Sequence, residues 1–297
     1  YNDYVVYDET TSMSKDNIYA YAQYVTMLGE KASLVLGTGA KVFVVNDGLN
    51  TLSYVKNLST LRLNYKINKK MSLSAVASLS PSLPSLGSLS TVMQRTDDVS
   101  ANVGNADLKP YNTLSGRLQF NYNASKIFYA TATAGYSHSF NPIVYTYYYN
   151  PELNLFVNSP HNSDYYKTMY FNTKIGTKKL FDFLYISLTG NLRKQESKGI
   201  GFHHENLNFY SSVEVQAVWE KFTMGCDFDI TPAITLYGEN LTYNEMSQDI
   251  YVQYKWKDLY VALIWLCPFN KDGYRYESEG LSEVHSYKHT NWTANNG

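Results

Sequence analysis

Apolar and polar residues alternate along most of this chain. Leu61, Leu63 and Tyr65 fall on one face of a short segment. Arg62 and Asn64, which lie between them, fall on the other face. A period of two residues is typical of a β-strand whose two faces meet different surroundings, and the 3.6-residue period of an amphipathic helix is hard to find anywhere. The pattern therefore predicts an all-β protein.

The same division recurs in later segments and assigns their side chains to an apolar and a polar face. The apolar face contains Leu61, Leu63, Tyr65, Leu118, Phe120, Val213, Val215, Ile250, Val252 and Tyr254. The polar face contains Arg62, Asn64, Arg117, Gln119, Glu214, Gln216, Gln253 and Lys255. Because a slip of one residue exchanges the two faces, this division also predicts the register of the strands.

About thirteen strands follow from the alternation and the turn residues between the segments. They are expected near 1–8, 17–28, 31–45, 58–67, 70–79, 111–123, 126–140, 164–177, 182–195, 206–218, 221–231, 245–256 and 258–267. Their length of about 10 to 14 residues is twice that of a typical globular strand and close to the ~9–11 residues of a tilted membrane-spanning strand. The length favours a barrel that crosses a membrane.

Short and long connections alternate between these strands. Tight turns are expected at Gly29-Glu30, Asn68-Lys69, Ala124-Ser125, Lys178-Lys179, Trp219-Glu220 and Lys257-Asp258. Long loops are expected over 46–57, 80–110, 141–163, 196–206, 232–244 and 267–291. Short turns at one end and long loops at the other are typical of an up-and-down outer-membrane barrel.

A soluble protein of two packed antiparallel sheets is the alternative. Such sandwiches have shorter strands and loops of similar length at both ends. Here the polar face carries few charges, which suits the lumen of a barrel. Aromatic residues gather near strand ends, where the interfacial girdles of a barrel would lie. They are Tyr19, Tyr21, Tyr65, Tyr122, Phe128, Trp219, Phe222, Tyr254 and Trp256.

Composition narrows the function classes. The 297 residues have a formal net charge of -1, and 44% of them are hydrophobic, so neither a disordered acidic tail nor a basic nucleic-acid binder fits. The longest apolar run, Leu259 to Cys267, is about half of the ~20 residues that a membrane-spanning helix needs. Cys226 and Cys267 belong to no CxxC or Cys/His cluster, so neither a zinc site nor a disulfide framework is expected. The 29 tyrosines suit strands, girdles and binding surfaces.

One segment carries a family resemblance. Gly104-Asn105-Ala106-Asp107-Leu108-Lys109-Pro110 follows a leucine-rich stretch and leads into an alternating strand. Gly and Asn permit a tight positive-φ turn, and proline at the first residue of a strand loses no ladder hydrogen bond. The segment and the strand rhythm around it resemble the barrel of TonB-dependent outer-membrane receptors, above all the Bacteroidetes-type branch.

The resemblance implies a barrel of 22 strands around an N-terminal plug that follows a short TonB-contacting box. The chain has about thirteen predicted strands, nothing like a plug, and no aromatic-ending last strand. Residues 1–297 are therefore interpreted as the C-terminal portion of the barrel, without the plug domain, the first strands and the final one. The first residue is Tyr1 and no export signal precedes it, which agrees with a mature protein or a fragment. On this interpretation the long loops are extracellular and the tight turns periplasmic.

The resemblance also implies a function: import of a scarce nutrient, such as a glycan, a metal chelate or a peptide, across the outer membrane of a Gram-negative bacterium. The implied partners are outer-membrane lipid, the TonB complex acting through the missing plug, a surface lipoprotein and the extracellular ligand. No nucleic acid is among them. A passive porin or surface adhesin fits the strand rhythm equally, and a soluble secreted glycan-binding β-protein is a further alternative.

Catalytic motifs are absent from the sequence: it contains no GxSxG, HExxH, GxxxxGK[ST], or GxGxxG before a helix. The chain is therefore not expected to be an enzyme, and neither a cofactor nor a metal is expected. His203-His204-Glu205, and His285 with His289, fall on predicted loops without a third and fourth ligand in reach. Asp227 and Asp229 share a strand face, where water and neighbouring cations satisfy them better than acid–base chemistry would.

Tyrosine-rich sequence in the loop 141–163 supplies the candidate ligand site. Aromatic rings flanked by Asn and Thr suit glycans, ferric siderophores or peptides, and the alternative is that these rings pack against each other. The candidate ligand-binding residues are Tyr145, Tyr147, Tyr148 and Tyr149, with Phe156 and His161 in the same loop and His203 and His204 in another. The charged residues expected to face the lumen are Arg62, Arg117, Lys174, Arg193, Asp227, Asp249 and Lys255. These charges contact substrate or plug, or they pair with each other.

Overall fold

The computed structural model describes residues 13–46, 51–124, 127–270 and 274–293. In chain order the strands are β1 (Ser14–Leu28), β2 (Ala32–Asn46), β3 (Thr51–Lys66), β4 (Met71–Ser82), β5 (Gln94–Arg95), β6 (Ser100–Asn102), β7 (Tyr111–Tyr122), β8 (Phe128–Phe140), β9 (Ile143–Asn150), β10 (Leu155–Asn162), β11 (Tyr165–Thr177), β12 (Leu184–Gly199), β13 (Phe202–Trp219), β14 (Phe222–Asp229), β15 (Ala233–Tyr237), β16 (Asn240–Asn244), β17 (Gln248–Trp256), β18 (Leu259–Leu266), β19 (Tyr274–Leu281) and β20 (Ser286–Thr293). One short helix, α1 (Leu86–Leu89), lies between β4 and β5.

Twelve of these strands form one antiparallel sheet, which we call the main sheet. Its order is β1-β2-β3-β4-β7-β8-β11-β12-β13-β14-β17-β18, so each strand pairs with the next strand of the sheet in chain order. This confirms an all-β, up-and-down architecture and twelve of the thirteen expected strands. The expected strand near 1–8 lies outside the described residues. No described helix is long and apolar enough to cross a membrane.

Short connections join the strands at one end of the main sheet, which we call the tight-turn end; the expected tight turn at Lys178-Lys179 is instead the longer connection 178–183. Gly29, Glu220 and Lys257 have positive φ there, at +70°, +51° and +51°. Each of these turns thus contains one residue in the left-handed backbone conformation, which glycine adopts without a steric cost. The expected turn at Ala124-Ser125 lies partly outside the described residues.

The predictions of long loops at 46–57 and 196–206 were wrong. The ladder of β2 with β3 runs to Asn46↔Thr51, so most of the segment 46–57 is strand and the connection shrinks to 47–50, which is not described. The segment 196–206 is also mostly strand: only Ile200 and Gly201 separate β12 from β13. Apolar residues fall on both faces in the first segment, where Leu52 and Val55 point to opposite sides, and polar residues dominate both faces in the second, so neither shows a clean alternation.

The other long connections are not irregular loops. β5, β6, β10 and β9 form a four-stranded sheet, which we call the second sheet. β15, β16, β19 and β20 form another, the third sheet. Both are built from connections at the end of the main sheet opposite the tight turns, which we call the loop end. The buried apolar clusters lie in this region: Val45, Leu89 and Leu108 form one, and Ala101, Leu155 and Val157 form the other.

The register gives the main sheet two distinct faces. Leu63 and Leu118 both lie opposite Ala75 of β4, whereas Arg62 and Arg117 both lie opposite Val76. We call the face with Leu63 and Leu118 the outward face and the other the inward face. The ladders run without a slip from β3 to β18, so the predicted apolar and polar sets fall on opposite faces throughout.

Connections at the loop end cover the inward face. Gln195 of β12 donates through Nε2 to the carbonyl oxygen of Leu236 at 3.1 Å. The backbone N–H of Gly238 donates to the hydroxyl oxygen of Ser197 at 3.1 Å, and Asn208 donates to the carbonyl oxygen of Pro232 at 3.3 Å. The β15–β16 hairpin thus folds over the inward face of the main sheet. The outward face carries no such cover in the described residues and exposes large apolar side chains.

Most of the expected aromatic girdle is found on the outward face. Phe222 packs against Tyr254 with ring centroids 4.8 Å apart, and Trp219 lies opposite Phe222 in the ladder beside the tight turn. Tyr19 and Tyr21 depart from the expectation, because the register puts them on the inward face, away from the turn. Tyr21 lies over Gly37, whose lack of a Cβ leaves room for the ring.

The segment Gly104–Pro110 connects the region around α1 to strand β10 of the second sheet. Gly104 and Asn105 donate backbone hydrogen bonds to the carbonyl oxygens of Ser90 and Ser88, at 2.8 and 2.7 Å. Asn105 also donates through Nδ2 to the carbonyl oxygen of Pro160 in β10 at 3.1 Å.

The physical reason for this glycine differs from the one that the sequence suggested. Among the described glycines only Gly29, Gly201 and Gly238 have positive φ, so Gly104 does not serve a left-handed turn. A Cβ on Gly104 would lie 2.3 Å from the carbonyl oxygen of Ser90, so close approach of backbone is what excludes a side chain. Pro110 precedes β7 and is not its first residue.

Gly104→Ala is therefore expected to loosen the second sheet, at a cost of about 1–3 kcal/mol for overpacking. Faster cleavage of the 83–110 connection by added protease, in the full-length protein in detergent micelles, would report this. Gly87→Ala is the matched control, because a Cβ on Gly87 meets no atom within 4 Å. Equal cleavage rates of the two variants would contradict the expectation.

Candidate functional site

Strand β9 contains the tyrosine-rich sequence and splits it between two faces. Tyr145, Tyr147 and Tyr149 alternate with Thr146 and Tyr148, so the first three share one face. The four candidate tyrosines are thus not one surface: Tyr148 points to the opposite side of the second sheet.

Rings from two connections meet on the Tyr147 side of β9. The Tyr147 ring lies 4.7 Å from the ring of His285 and 5.7 Å from that of Tyr287, centroid to centroid. Phe156 lies 4.5 Å from His285 and 5.4 Å from Tyr149. We call these five residues the aromatic cluster. The alternative that the tyrosines pack against other rings therefore holds for Tyr147 and Tyr149, and the packing joins the second sheet to residues that precede and begin β20.

A pocket opens beside the aromatic cluster, between the second and third sheets. Its volume is about 280 Å³. Its lining comprises Tyr145, Tyr147, Asn158, Glu239, Asn240, Gly280, Ser282 and Tyr287. We call it the inter-sheet pocket. Rings form one part of the wall, and amide, hydroxyl and carboxyl groups form the rest, which is the composition of a site that orients a partly apolar ligand.

This pocket contains a buried polar atom without a partner and two groups whose pKa is raised by burial. The Oδ1 atom of Asn158 is buried and has no hydrogen-bond partner among the described residues, while its Nδ2 donates to Asn102 at 3.2 Å. A buried acceptor without a partner costs about 1–3 kcal/mol, which a ligand donor would recover. Burial raises the pKa of the Glu239 carboxyl, although a hydrogen bond from Ser282 works against this. Burial also raises the pKa of the Tyr147 hydroxyl, which stays protonated and able to donate.

The two candidate histidines do not join this site. His203 lies on the outward face of β13, where its Nε2 is 3.2 Å from an oxygen of Glu196. His204 lies on the inward face, and its ring stacks against Phe202 with a centroid distance of 5.7 Å. The structure thus separates both imidazoles from the tyrosines and from each other.

The candidate lumen charges share the inward face. Glu214, Asp227 and Asp249 occupy one row across β13, β14 and β17. Lys174 forms an ion pair with Glu214 at 3.2 Å, so mutual pairing accounts for part of the charge. Arg62, Arg117 and Lys255 lie on the same face by register. That this face lines a lumen stays a prediction.

Several lining residues were missed by reading the sequence. Asn158, Glu239, Ser282 and Tyr287 come from three different connections and meet only because the second and third sheets pack side by side. The alternation of Tyr287 with Ser286 and Lys288 was the available signal for a strand, but it gave no indication of the strand's neighbour.

A larger depression of about 610 Å³ lies on the outward face. Its lining includes Tyr24, Leu36, Leu61, Leu79 and Leu114 and is almost entirely apolar. It presents no convergent polar groups, so it is a less suitable site for orienting a ligand than the inter-sheet pocket.

Comparison with known proteins identifies a family. The model of a family described as "outer membrane protein beta-barrel family" matches residues 14–296, nearly the whole chain. No curated protein matches the chain by sequence.

Solved structures share the fold at low sequence identity. An FrpB iron transporter from Neisseria meningitidis is 14% identical, with a TM-score of 0.58 over 96% of this chain and 43% of that one. The copper transporter OprC is 10% identical, with a TM-score of 0.66 over 90% of this chain and 42% of that one. The siderophore receptor PirA from Pseudomonas aeruginosa is 9% identical, with a TM-score of 0.54 over 94% and 56%. The chain thus spans roughly half the length of each of these proteins.

Proposed function

The chain belongs to the outer membrane protein β-barrel family, and from that premise we propose that it is part of a receptor that imports a scarce nutrient. Its main sheet is an arc of a barrel in the outer membrane of a Gram-negative bacterium. The solved proteins of similar fold are described as iron and copper transporters and a siderophore receptor, which supports transport. The proposal includes no catalytic step.

Residues 1–297 form the C-terminal portion of the barrel in this proposal, and the plug domain and first strands belong to the rest of the protein. The similar structures are about twice as long as this chain, which leaves room for both. Energy comes from the TonB complex acting through the plug. A surface lipoprotein that closes over the loop end is a further proposed partner.

Ligand capture takes place at the inter-sheet pocket. The observation that carries this part is the aromatic cluster beside a buried acceptor without a partner, at the loop end of the sheet. Loop and tight-turn ends lie on opposite sides of the membrane in outer-membrane barrels, and the long loops are extracellular. Protonated tyrosine hydroxyls, amides and rings suit a ligand with hydroxyl or amide groups and a flat apolar face, such as a glycan, a peptide or a metal chelate.

Double replacement of Tyr147 and Tyr287 by alanine tests capture. Each anchoring ring is worth about 1–2 kcal/mol at an interface, so uptake at limiting ligand should fall at least tenfold. The limiting nutrient is first identified from the growth defect of a deletion strain on glycans, peptides or iron chelates as sole sources. Tyr148→Ala is the matched control and should leave uptake unchanged, because Tyr148 points away from the cluster.

Three results would count against the proposal. Unchanged uptake by the Tyr147/Tyr287 variant would move the ligand to the lumen or the plug. Uptake that persists in a strain without TonB would instead favour a passive porin. A full-length protein that stays monomeric without detergent would favour the third alternative, a soluble glycan-binding protein.

A further inference from the structure

A two-residue connection at the loop end, Ile200 and Gly201, brings together a cluster that the sequence did not reveal. Because β12 and β13 stay paired up to this connection, Glu196 lies directly opposite Glu205, and Lys198 lies opposite His203. Residues 203 and 205 share a strand face, so three side chains with metal-ligating atoms converge across two strands. Their ligand atoms all lie within 4.8 Å of one another.

Distances within this cluster match a coordination sphere. The Nε2 atom of His203 lies 3.2 Å from Oε1 of Glu196 and 3.8 Å from Oε1 of Glu205. Ligands placed about 2.1 Å from a tetrahedral zinc ion are separated by roughly 3.4 Å, which falls between these two values. Small side-chain movements therefore suffice to bring the three ligand atoms to coordination distance of one cation.

The lysines beside the cluster contact the other carboxylate oxygens. Lys167 Nζ lies 3.7 Å from Oε2 of Glu196, and Lys194 Nζ lies 2.8 Å from Oε2 of Glu205. Both Oε1 atoms, which face the imidazole, stay free of lysine. Tyr165 donates its hydroxyl to Oε1 of Glu196 itself, the oxygen that faces the imidazole, and this leaves the second lone pair of that oxygen for a metal ion. Such outer contacts hold ligating carboxylates in orientation, as the outer shell of a protein metal site does.

The cluster is separate from the inter-sheet pocket and from the predicted lumen. Its residues lie on the outward face, above Leu192 and Leu207 of the same two strands. Gln195 and Ser197, their inward-facing neighbours on β12, are buried under the β15–β16 hairpin. A metal ion bound here would lie on the outward face, on the loop-end side of the apolar residues Leu192 and Leu207, and so away from the inward face and the inter-sheet pocket.

We propose that Glu196, His203 and Glu205 bind a divalent transition-metal ion such as Zn²⁺. One imidazole nitrogen and two carboxylate oxygens are a ligand set that suits zinc, and water completes the tetrahedron. Because Glu196 belongs to β12 and the other two ligands to β13, the ion cross-links the loop ends of both strands. Its role is structural: it stabilises the strand ends that extend beyond the membrane.

Titration of the full-length protein in detergent micelles with Zn²⁺ alone, followed by calorimetry, tests the site. We expect saturable binding of one ion, and weaker binding of Mg²⁺, which disfavours nitrogen ligands. Outer-shell changes cost 10–100-fold in metal affinity, so His203→Ala and Glu205→Gln, which remove ligands, should weaken binding by about 100-fold or more. Tyr165→Phe should weaken it by about tenfold.

His204→Ala is the matched control, since it removes the neighbouring imidazole from the opposite face of the same strand. Its zinc affinity should equal that of the unmodified protein. A second readout is thermal unfolding: saturating Zn²⁺ should raise the melting temperature of the unmodified protein and of His204→Ala, but not of His203→Ala. Visible absorption of bound Co²⁺ would show the tetrahedral environment.

Three results would overturn the proposal: no saturable zinc binding, equal loss of binding in the His203 and His204 variants, or zinc binding that Glu205→Gln leaves unchanged. None of them bears on nutrient uptake, so the zinc site and the proposed import function stand or fall separately.

Discussion

Replacing Val252 by arginine is expected to prevent assembly of the barrel in the outer membrane, whereas arginine at Gln253 is expected to be tolerated. Val252 lies on the outward face near the middle of β17. Its ladder neighbours are Met224 and Leu263, both apolar and exposed. An arginine on the lipid face costs about 2–4 kcal/mol at the bilayer midplane, enough to displace an assembly equilibrium by one to three powers of ten.

Gln253 is the matched control because it is adjacent in sequence and points inward. Its ladder neighbours are Thr223 and Ala262, and it shares the inward face with charged residues such as Asp249 and Lys255. An arginine there meets a polar, wet environment if the inward face lines a lumen. The pair of variants therefore tests both the register and the prediction that lipid meets the outward face.

Gel mobility of unheated samples from outer-membrane preparations distinguishes the folded barrel from the unfolded chain. The folded band of the full-length protein should be lost with Val252→Arg and retained with Gln253→Arg. The reverse result would mean that lipid meets the inward face, and equal assembly of both variants would mean that β17 does not face lipid.

Alternation of side chains was sufficient to predict the main sheet. In strands such as β7, Leu118 and Phe120 face one environment while Arg117 and Gln119 face another. The period of two residues can therefore be recognised in the sequence itself. Register follows from the same pattern, because a slip by one residue would expose every apolar side chain to the wrong side.

Pairing between distant connections could not be predicted in this way. The second sheet joins β5 and β6 to β9 and β10, and its β6–β10 ladder is parallel. Such pairs depend on tertiary packing across many residues and leave no local periodic signal. The lining of the inter-sheet pocket could be predicted only in part for the same reason: the sequence points to Tyr147 but not to Asn158 or Glu239.

The loop-end residues of β12 and β13 also could not be recognised as strand from the sequence. Glu196, Lys198 and His203 are polar on a face where further down the same strands the residues are apolar, so the alternation that marks a strand disappears although the backbone ladder continues. The sequence alone predicts a loop with isolated histidines there. Pairing of β12 with β13 places Glu196 beside His203, and so adds a ligand that the sequence alone does not indicate.

Unpaired edges determine how the chain behaves on its own. In the described residues β1 and β18 terminate the main sheet, and each pairs on one side only. β18 is apolar on both faces: Leu263, facing outward, is 75% exposed, and Ile264, facing inward, is 58% exposed. A long, apolar, unpaired edge is a template for pairing with another chain. In the native protein we expect further barrel strands to cover it.

Residues 1–297 expressed alone and refolded without detergent should therefore form large aggregates and no discrete monomer. Light scattering after size-exclusion chromatography measures this. Ile264→Lys places a charge on the apolar edge strand and should raise the soluble fraction, because charged edge residues oppose strand addition. Ile200→Lys is the matched control: Ile200 is 92% exposed but lies in the two-residue connection between β12 and β13 at the loop end, away from both edges. It should leave aggregation unchanged. A monodisperse, detergent-free monomer of this chain would refute the membrane barrel, since such a molecule must bury the outward apolar face and both edges by itself.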